Sequence, residues 1–407
     1  MVDNLTGNET ILGGILMQYR FFGKLDWKGS ALGFGTMRLP ILDNDSSKID
    51  EPEAIRMIRH AIDQGVNYVD SAYSYHGGNS EKVTGMALQD GYRERVKLAT
   101  KLPVWLVENY ESFDKLLNEQ LARLQTDHID FYLLHALSAE RWPKMKALNV
   151  LDWLEKTRAD GRIRHVGFSF HDNLDVFKSI IDDYESWEFC QIQYNYMDVE
   201  NQAGTEGLKY AASKGLGVVV MEPLLGGELI NPPDLVKSLW DSAAVKRSPA
   251  DWALQWIWDQ PEVSLVLSGM STMEQVEQNI ASAAHAAVGS ITPDEQQLID
   301  QVRTAYKELT IIPCTHCEYC LPCPNEINIP NIFSMFNQGR IYKVLDTVRD
   351  EYQRFVPDGK RADDCLACRE CESKCPQHIP ISDWMVLVDQ VLAKGVTYAE
   401  ALKNRPV

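Results

Sequence analysis

The stretch Asn67-Tyr68-Val69-Asp70-Ser71-Ala72-Tyr73-Ser74-Tyr75 runs from an apolar strand into an acid, with a tyrosine in the loop that follows. Two later segments end in the same manner. Val96-Lys97-Leu98-Ala99-Thr100 stops at Lys101, and Ile129-Asp130-Phe131-Tyr132-Leu133-Leu134 stops at His135. Three successive strand ends would thus deliver Asp70, Tyr75, Lys101 and His135 to one rim of a barrel, the rim on which (β/α)8 barrels carry their chemistry. A lone Asp or Lys at a strand end is usually half of an ion pair, and a lone His a satisfied core group. Four such groups at consecutive strand ends argue for a site.

Working outward, the alternation of strand and helix repeats. Residues 31–36 read as a buried first strand. Asp50-Glu51-Pro52-Glu53 opens a helix, with Asp50 as cap, Glu53 closing a capping box and Pro52 tolerated in the first turn, and Gly65 ends it. Further strands are expected at 67–72, 96–101, 128–135, 163–169, 189–194, 216–222 and 263–268. Helices are expected at 80–90, 109–124, 149–160, 173–182, 203–214, 248–259, 272–284 and 293–309. Gly217-Val218-Val219-Val220 is apolar throughout, as a parallel strand covered on both faces must be. Eight strand–helix units over about 250 residues is the size of a (β/α)8 barrel. A doubly wound open sheet is the alternative, but no Gly-rich fingerprint follows the first strand. Residues 17–29 read as a hairpin turning near Gly23-Lys24. The expected fold class is therefore α/β: a (β/α)8 TIM barrel over residues 17–310 with an N-terminal hairpin, then a small α-helical domain over 311–407. Residues 1–16 are expected to be a leader or an extended start. In the tail, Pro330 opens one helix, residues 342–355 form another, and Pro357-Asp358-Gly359 is a turn.

The formal net charge of -18 would repel nucleic acid and anionic membranes alike, so neither is expected as a partner. Residues 10–17 are mildly apolar, but no cationic start precedes them and they fall far short of the ~20 residues of a membrane span. Eight of the nine cysteines lie in two tight groups after residue 313. Such clustering points to metal ligation rather than disulfides, and with no export signal it predicts a reducing, cytoplasmic setting. Cys190, at the start of the sixth barrel strand, reads as a buried small residue.

Reduction of a carbonyl by hydride needs a proton donor at the developing alkoxide. Free tyrosine, with a pKa near ~10, is a poor acid at neutral pH. A neighbouring ammonium favours the phenolate, which gives Lys101 a role beside Tyr75. Asp70 would hold Lys101, and His135 would donate a hydrogen bond to the substrate oxygen. An alternative makes Lys101 a Schiff-base nucleophile, which leaves the Asp–Tyr pair unexplained.

The cysteine groups are Cys314, Cys317, Cys320 and Cys323, followed by Pro324, and Cys365, Cys368, Cys371 and Cys375, followed by Pro376. The second has the C-x2-C-x2-C-x3-C-P run of bacterial ferredoxins, a specific sign of a 4Fe–4S cluster. The fourth ligand of each cluster usually comes from the partner motif. Cys314, Cys317, Cys320 and Cys375 would then hold one cluster, and Cys365, Cys368, Cys371 and Cys323 the other. The first group departs from the usual run, with two residues rather than three before its last cysteine. The long helical spacer resembles an α-helical ferredoxin. Zinc remains the alternative, since C-x2-C pairs also suit tetrahedral sites.

The segments around Asp70 and Tyr75, Ala99-Thr100-Lys101 and Leu133-Leu134-His135 resemble the tetrad motifs of the aldo-keto reductase superfamily, over about residues 17–290. The resemblance implies an NAD(P)H-dependent oxidoreductase acting on a small-molecule carbonyl or alcohol, with the nucleotide lying across the strand ends. It implies that Ser169 and Gln193 bind the nicotinamide carboxamide. It places Met221, Pro223 and Leu224 along the nicotinamide and pyrophosphate, and Gly269, Gln275, Gln278 and Asn279 at the adenosine end. Where many relatives stack a tyrosine on the nicotinamide, this chain has Met221. Where many have an asparagine after the serine, it has Phe170-His171. Gly269 and Gln275 stand where Lys and Arg often meet the 2′-phosphate, which should weaken the preference for NADP over NAD. Trp105, Trp142 and His76 would lie in loops near the pocket, either shaping specificity or packing loops. The clusters would serve a ferredoxin-like electron carrier, sense redox state or brace the tail. A redox-responsive nicotinamide-binding regulatory subunit with slow turnover is the alternative function.

Overall fold

The computed structural model of the chain describes residues 16–43, 45–314, 320–375 and 377–404. The expected leader therefore falls almost wholly outside the described residues. Two compact units are present: Met1–Gly226 with Ala250–Thr292, and Gly227–Pro249 with Pro293–Val407. The boundary expected near Thr310 lies inside the second unit, because the helix Pro293–Glu308 packs with the helix Asp234–Ser242.

In the first unit, β1 (Tyr19–Phe22) and β2 (Leu25–Ser30) form an antiparallel hairpin. Eight parallel strands follow: β3 (Leu32–Gly35), β4 (Tyr68–Asp70), β5 (Lys97–Leu102), β6 (Ile129–Leu137), β7 (Ile163–Phe170), β8 (Phe189–Gln193), β9 (Gly217–Met221) and β10 (Leu265–Gly269). They run in chain order around a closed barrel, with β10 paired back onto β3. Each strand is followed by at least one helix, and the strand interiors are buried, as a barrel ringed by helices requires.

The register explains why distant residues meet. Asp70 lies opposite Ala99, and side chains alternate along a strand, so Lys101 two places on shares the face of Asp70. Lys101 in turn lies opposite Leu133, which gives His135 that same face. The stagger from strand to strand is the barrel's shear. At the other end the hairpin plugs the barrel. Phe22 is fully buried against Phe131, with ring centroids 5.0 Å apart, and against Trp27. Gly217 makes room for it, since a Cβ there would stand 2.4 Å from the Phe22 ring.

Asp50 accepts the Glu53 N–H at 3.2 Å, but Glu53 does not close a capping box. Its carboxylate chelates Arg56 at 2.7 Å, while the Asp50 N–H donates to the Pro40 carbonyl at 2.8 Å. An arginine one turn away is the stronger partner for an exposed carboxylate. The helices Arg141–Ala147, Asp234–Ser242 and Ile381–Leu392 were not anticipated. The first is too short to show a period, and the last buries Trp384, Met385, Val388 and Leu392 in the core of the second unit.

Asp130, near the start of β6, is buried and takes Arg93 at 2.8 Å, Lys97 at 3.2 Å and the Leu98 N–H at 3.1 Å. Burial works against its charge, but the cations and the N–H win and hold the carboxyl below its ordinary value. Its stabilisation is therefore present above the unfolded pKa near ~3.9 and is lost as pH falls through the folded value. Asp130→Asn should cost about 3–5 kcal/mol at neutral pH by removing the buried charge that Arg93 and Lys97 face. Parallel urea titrations at neutral and acid pH check this, with the gap between variant and parent closing in acid.

Candidate active site and cysteine centre

The C-terminal ends of β4, β5 and β6 bring three of the four expected groups together, and the loop after β4 adds the fourth. Lys101 Nζ donates to Asp70 Oδ1 at 2.6 Å and to the Ser71 carbonyl at 2.8 Å, and lies 3.4 Å from Tyr75 Oη. Both Lys101 and Asp70 are buried, whereas Tyr75 is half-buried. The Tyr75 and His135 rings meet edge to face with centroids 6.2 Å apart. His135 Nδ1 is buried without a protein hydrogen-bond partner. Behind Lys101, Gln120 donates to its carbonyl at 3.0 Å and to the buried Glu81 at 2.8 Å, while Thr100 donates to the same Glu81 oxygen at 2.7 Å. This network clamps the end of β5. Neither Glu81 nor Gln120 stands out in the sequence, because Glu81 reads as an ordinary first-turn acid and Gln120 as one polar residue within a helix.

The electrostatics sharpen some roles and reverse one. Burial opposes the Lys101 ammonium, yet Asp70 and Tyr75 together outweigh it and hold its pKa above that of ordinary lysine. An amine so firmly protonated is a poor Schiff-base nucleophile. Burial raises the Asp70 pKa and Lys101 offsets only part of the rise. His135 is pushed well below its ordinary value by burial, then by Lys101, His171 and Arg141, so at neutral pH it is an uncharged imidazole. For Tyr75 the expected acidification does not survive: burial raises its pKa, Lys101 lowers it, and Asp70 raises it again, with a net upward shift. Because burial, helped by Asp70, outweighs the ammonium, the phenol stays protonated at neutral pH.

Beside His135 the chain is strained. Ala136 has φ 55°, the left-handed region that disfavours a side chain. Its N–H donates to Ser169 Oγ at 2.7 Å, and its carbonyl accepts from Arg141 Nη1 at 2.8 Å. Trp105 lies against His135 with centroids 5.0 Å apart. Trp142 and His76 turn out to pack loops instead. Trp142 is buried and donates to Asp183 at 2.7 Å, and His76 bonds the backbone of Leu39 and Ser46. Cys190 is wholly buried, and burial pushes its thiol pKa far up.

The residues assigned to the nucleotide lie at the ends of β7–β10 and on the helix Met273–Ala283. Ser169 is buried on Ala136. The Gln193 amide is engaged at both ends, donating to Asp198 at 3.0 Å and accepting from Gln202 at 3.3 Å. Met221 ends β9, with Pro223 buried and Leu224 half-buried just beyond. Gln275 accepts the Ser271 N–H at 2.8 Å, Asn279 donates to Ser268 at 3.0 Å, and Gln278 donates to Glu274 at 2.9 Å. Gly269 has the side chain of Arg38 laid across it, close enough that a Cβ would stand 3.2 Å from Arg38 Cγ. Arg38 escaped notice because it sits on a short turn that follows β3.

In the second unit, Cys323, Cys365, Cys368 and Cys371 line one cavity with Ile327 and Met385. Asn325 ties the two cysteine segments together by donating to the Asp364 carbonyl at 2.8 Å. Burial, Glu372, Cys365 and Cys368 push the Cys371 thiol up to about 11. Cys314, Cys320 and Cys375 pack on the same hydrophobic core, and Cys317 lies outside the described residues. Asn337 holds the segment before Cys314 by accepting the N–H groups of Ile311 and Ile312. No three of the described sulfurs converge on one metal ion. A thiol-lined apolar cavity fits a cubane, which spreads its ligands over four irons, better than mononuclear zinc.

Residues 31–303 match the family described as "Aldo/keto reductase family", and residues 313–380 match the "4Fe-4S dicluster domain". L-galactose dehydrogenase of Arabidopsis thaliana is 28% identical over 72% of this chain and 97% of its own length. NADH-specific methylglyoxal reductase of Escherichia coli is 26% identical over 64% of this chain and 91% of its own. An aldo-keto reductase of Bacillus halodurans in its holo form superposes with a TM-score of 0.58 at 27% identity, over 70% of this chain and 96% of that one. Among the described residues no helix is long and apolar enough to cross a membrane.

Proposed function

The chain belongs to the aldo/keto reductase family, and from that premise we propose that it reduces an aldehyde or ketone to the alcohol with Tyr75 as the proton donor. The observation that carries this reading is the Asp70–Lys101–Tyr75 chain, with His135 beside it, on one rim of the barrel. Reduced nicotinamide, when bound, supplies the hydride. Tyr75 Oη gives its proton to the carbonyl oxygen, and Lys101 at 3.4 Å stabilises the phenolate that forms. Asp70 and the Ser71 carbonyl fix the direction of the Lys101 ammonium. His135, neutral at the operating pH and beside the Tyr75 ring, orients the carbonyl. Ser169, Gln193, Met221, Pro223, Leu224, Gly269, Gln275, Gln278 and Asn279 would hold the nucleotide, with Gln193 exchanging a protein partner for the carboxamide.

The eight clustered cysteines would hold two 4Fe–4S clusters in the crossed arrangement, a reading supported by the shared cavity of Cys323, Cys365, Cys368 and Cys371. Such clusters pass single electrons, which suits exchange with a ferredoxin-like carrier in a reducing, cytoplasmic setting.

The test is aldehyde-dependent oxidation of NADH and NADPH by protein purified without oxygen. Turnover on a panel of small aldehydes is the expected result; none, in protein that binds the nucleotide, would reject the assignment. With Gly269 and Gln275 in place of two cations, Kd values for NADPH and NADH should lie within roughly a hundredfold of each other. A wider gap in paired titrations contradicts this.

A further inference from the structure

We propose that Arg141 is the specificity-determining residue for an oxo-acid substrate, binding its carboxylate while the carbonyl sits between Tyr75 and His135. The inference rests on the reductase reading above and adds the class of molecule reduced.

Arg141 opens the short helix that follows β6, and its side chain turns back toward the site. Nη1 donates to the carbonyl of Ala136, the residue next to His135, at 2.8 Å. The guanidinium carbon lies 5.7 Å from the centroid of the Trp105 ring, whose other neighbour is His135 at 5.0 Å. The indole thus spans the gap between the imidazole and the guanidinium, a wall for whatever links a carbonyl to a second group.

Two features set this arginine apart. The chain carries 58 acidic against 40 basic residues, so a cation here readily finds a carboxylate. Arg141 forms no ion pair among the described residues, and only Nη1 is engaged. Furthermore, the charges that bear on His135 come from Lys101, His171 and Arg141, all of cationic type. Asp70 answers Lys101 at 2.6 Å, and burial keeps His171 below its ordinary pKa, which leaves Arg141 as the unanswered cation. Two rival anions are already engaged: the Glu222 carboxylate, whose charge reaches His171 and Tyr75, accepts the Gly226 N–H at 2.5 Å, and Asp172 accepts the Ala139 N–H at 2.8 Å. A planar guanidinium already restrained by stacking and one hydrogen bond loses little freedom on meeting a carboxylate. A charge-assisted contact of guanidinium with carboxylate beside an indole is directional. The carboxylate would stand apart from the carbonyl by several carbons or an aromatic ring, the span of Trp105.

The test compares 4-carboxybenzaldehyde with its methyl ester, using the full chain purified without oxygen. The parent protein should prefer the acid by about tenfold or more in kcat/KM, the discrimination expected when a site built for a polar group is offered an analogue lacking it. Arg141→Gln should erase that preference through a higher KM for the acid, with the ester unchanged within about threefold. Arg141→Lys should restore part of it. Equal use of acid and ester by the parent overturns the proposal. So does a parallel loss on both in Arg141→Gln, which would mean that Arg141 only pins Ala136 and His135. Should the parent reduce neither aldehyde, the reductase reading fails on its own. Arg141 is then judged by tryptophan quenching with 4-(hydroxymethyl)benzoate, where equal affinity for parent and Arg141→Gln also overturns it.

Discussion

Tyr75→Phe should lower kcat for aldehyde reduction by about 10²–10⁴-fold while leaving nucleotide affinity within about twofold. The substitution removes one oxygen, the atom 3.4 Å from Lys101 Nζ, and keeps the ring that meets His135 edge to face. Loss of kcat with intact binding is the signature of an interaction made only as the proton moves. The pH profile tests the same group from another direction. Burial and Asp70 outweigh Lys101, so the phenol titrates above ~10. Below that value the protonated donor is present, so reduction should hold level from neutral pH to about pH 10 and fall beyond it. Alcohol oxidation needs the phenolate and should climb over the range in which reduction holds. His135, held neutral, should add no inflection near its ordinary pKa of ~6.5. Full activity in Tyr75→Phe, or a reductase limb that falls near neutrality, would remove Tyr75 from the mechanism.

That upward shift marks where reading the chain stops. Asp70, Lys101 and His135 were legible because a parallel barrel in sequence order fixes register, and a period of two fixes facing. Charge proximity was legible for the same reason. Burial was not, and burial decides the sign for Tyr75. Arg141 and Arg38 were missed for a related cause: each lies on a turn or short helix whose direction is set by tertiary packing rather than periodicity. Gln193 shows the limit of resemblance. Its position at the end of β8 is as expected, but its partners Asp198 and Gln202 come from the following loop, whose conformation no strand pattern specifies. The Glu53 capping box failed on a competition the motif ignores, since Arg56 sits one turn along.

The cysteine centre supplies the other large effect. Cys371→Ser should lower iron from about eight to about four per chain and expose the second unit to proteolysis. Cys371 is a buried wall of the cavity it shares with Cys323, Cys365 and Cys368, and that cavity borders the unit's hydrophobic core through Ile327, Ile329 and Met385. A cluster bound there acts as a covalent cross-link among segments that sequence places 48 residues apart at the extremes, from Cys323 to Cys371. Removing one ligand withdraws that bond energy from folding. Crossed ligation gives a sharper consequence than cluster loss alone. Cys323 belongs to the first run in sequence but lines the cavity of the second run in space. Cys323→Ser should therefore abolish the same paramagnetic signal as Cys365→Ser, and Cys375→Ser the same signal as Cys314→Ser. If Cys323→Ser instead matches Cys314→Ser, each run feeds its own cluster and the cavity is a packing feature. Colourless protein with stoichiometric zinc would reject iron–sulfur ligation altogether.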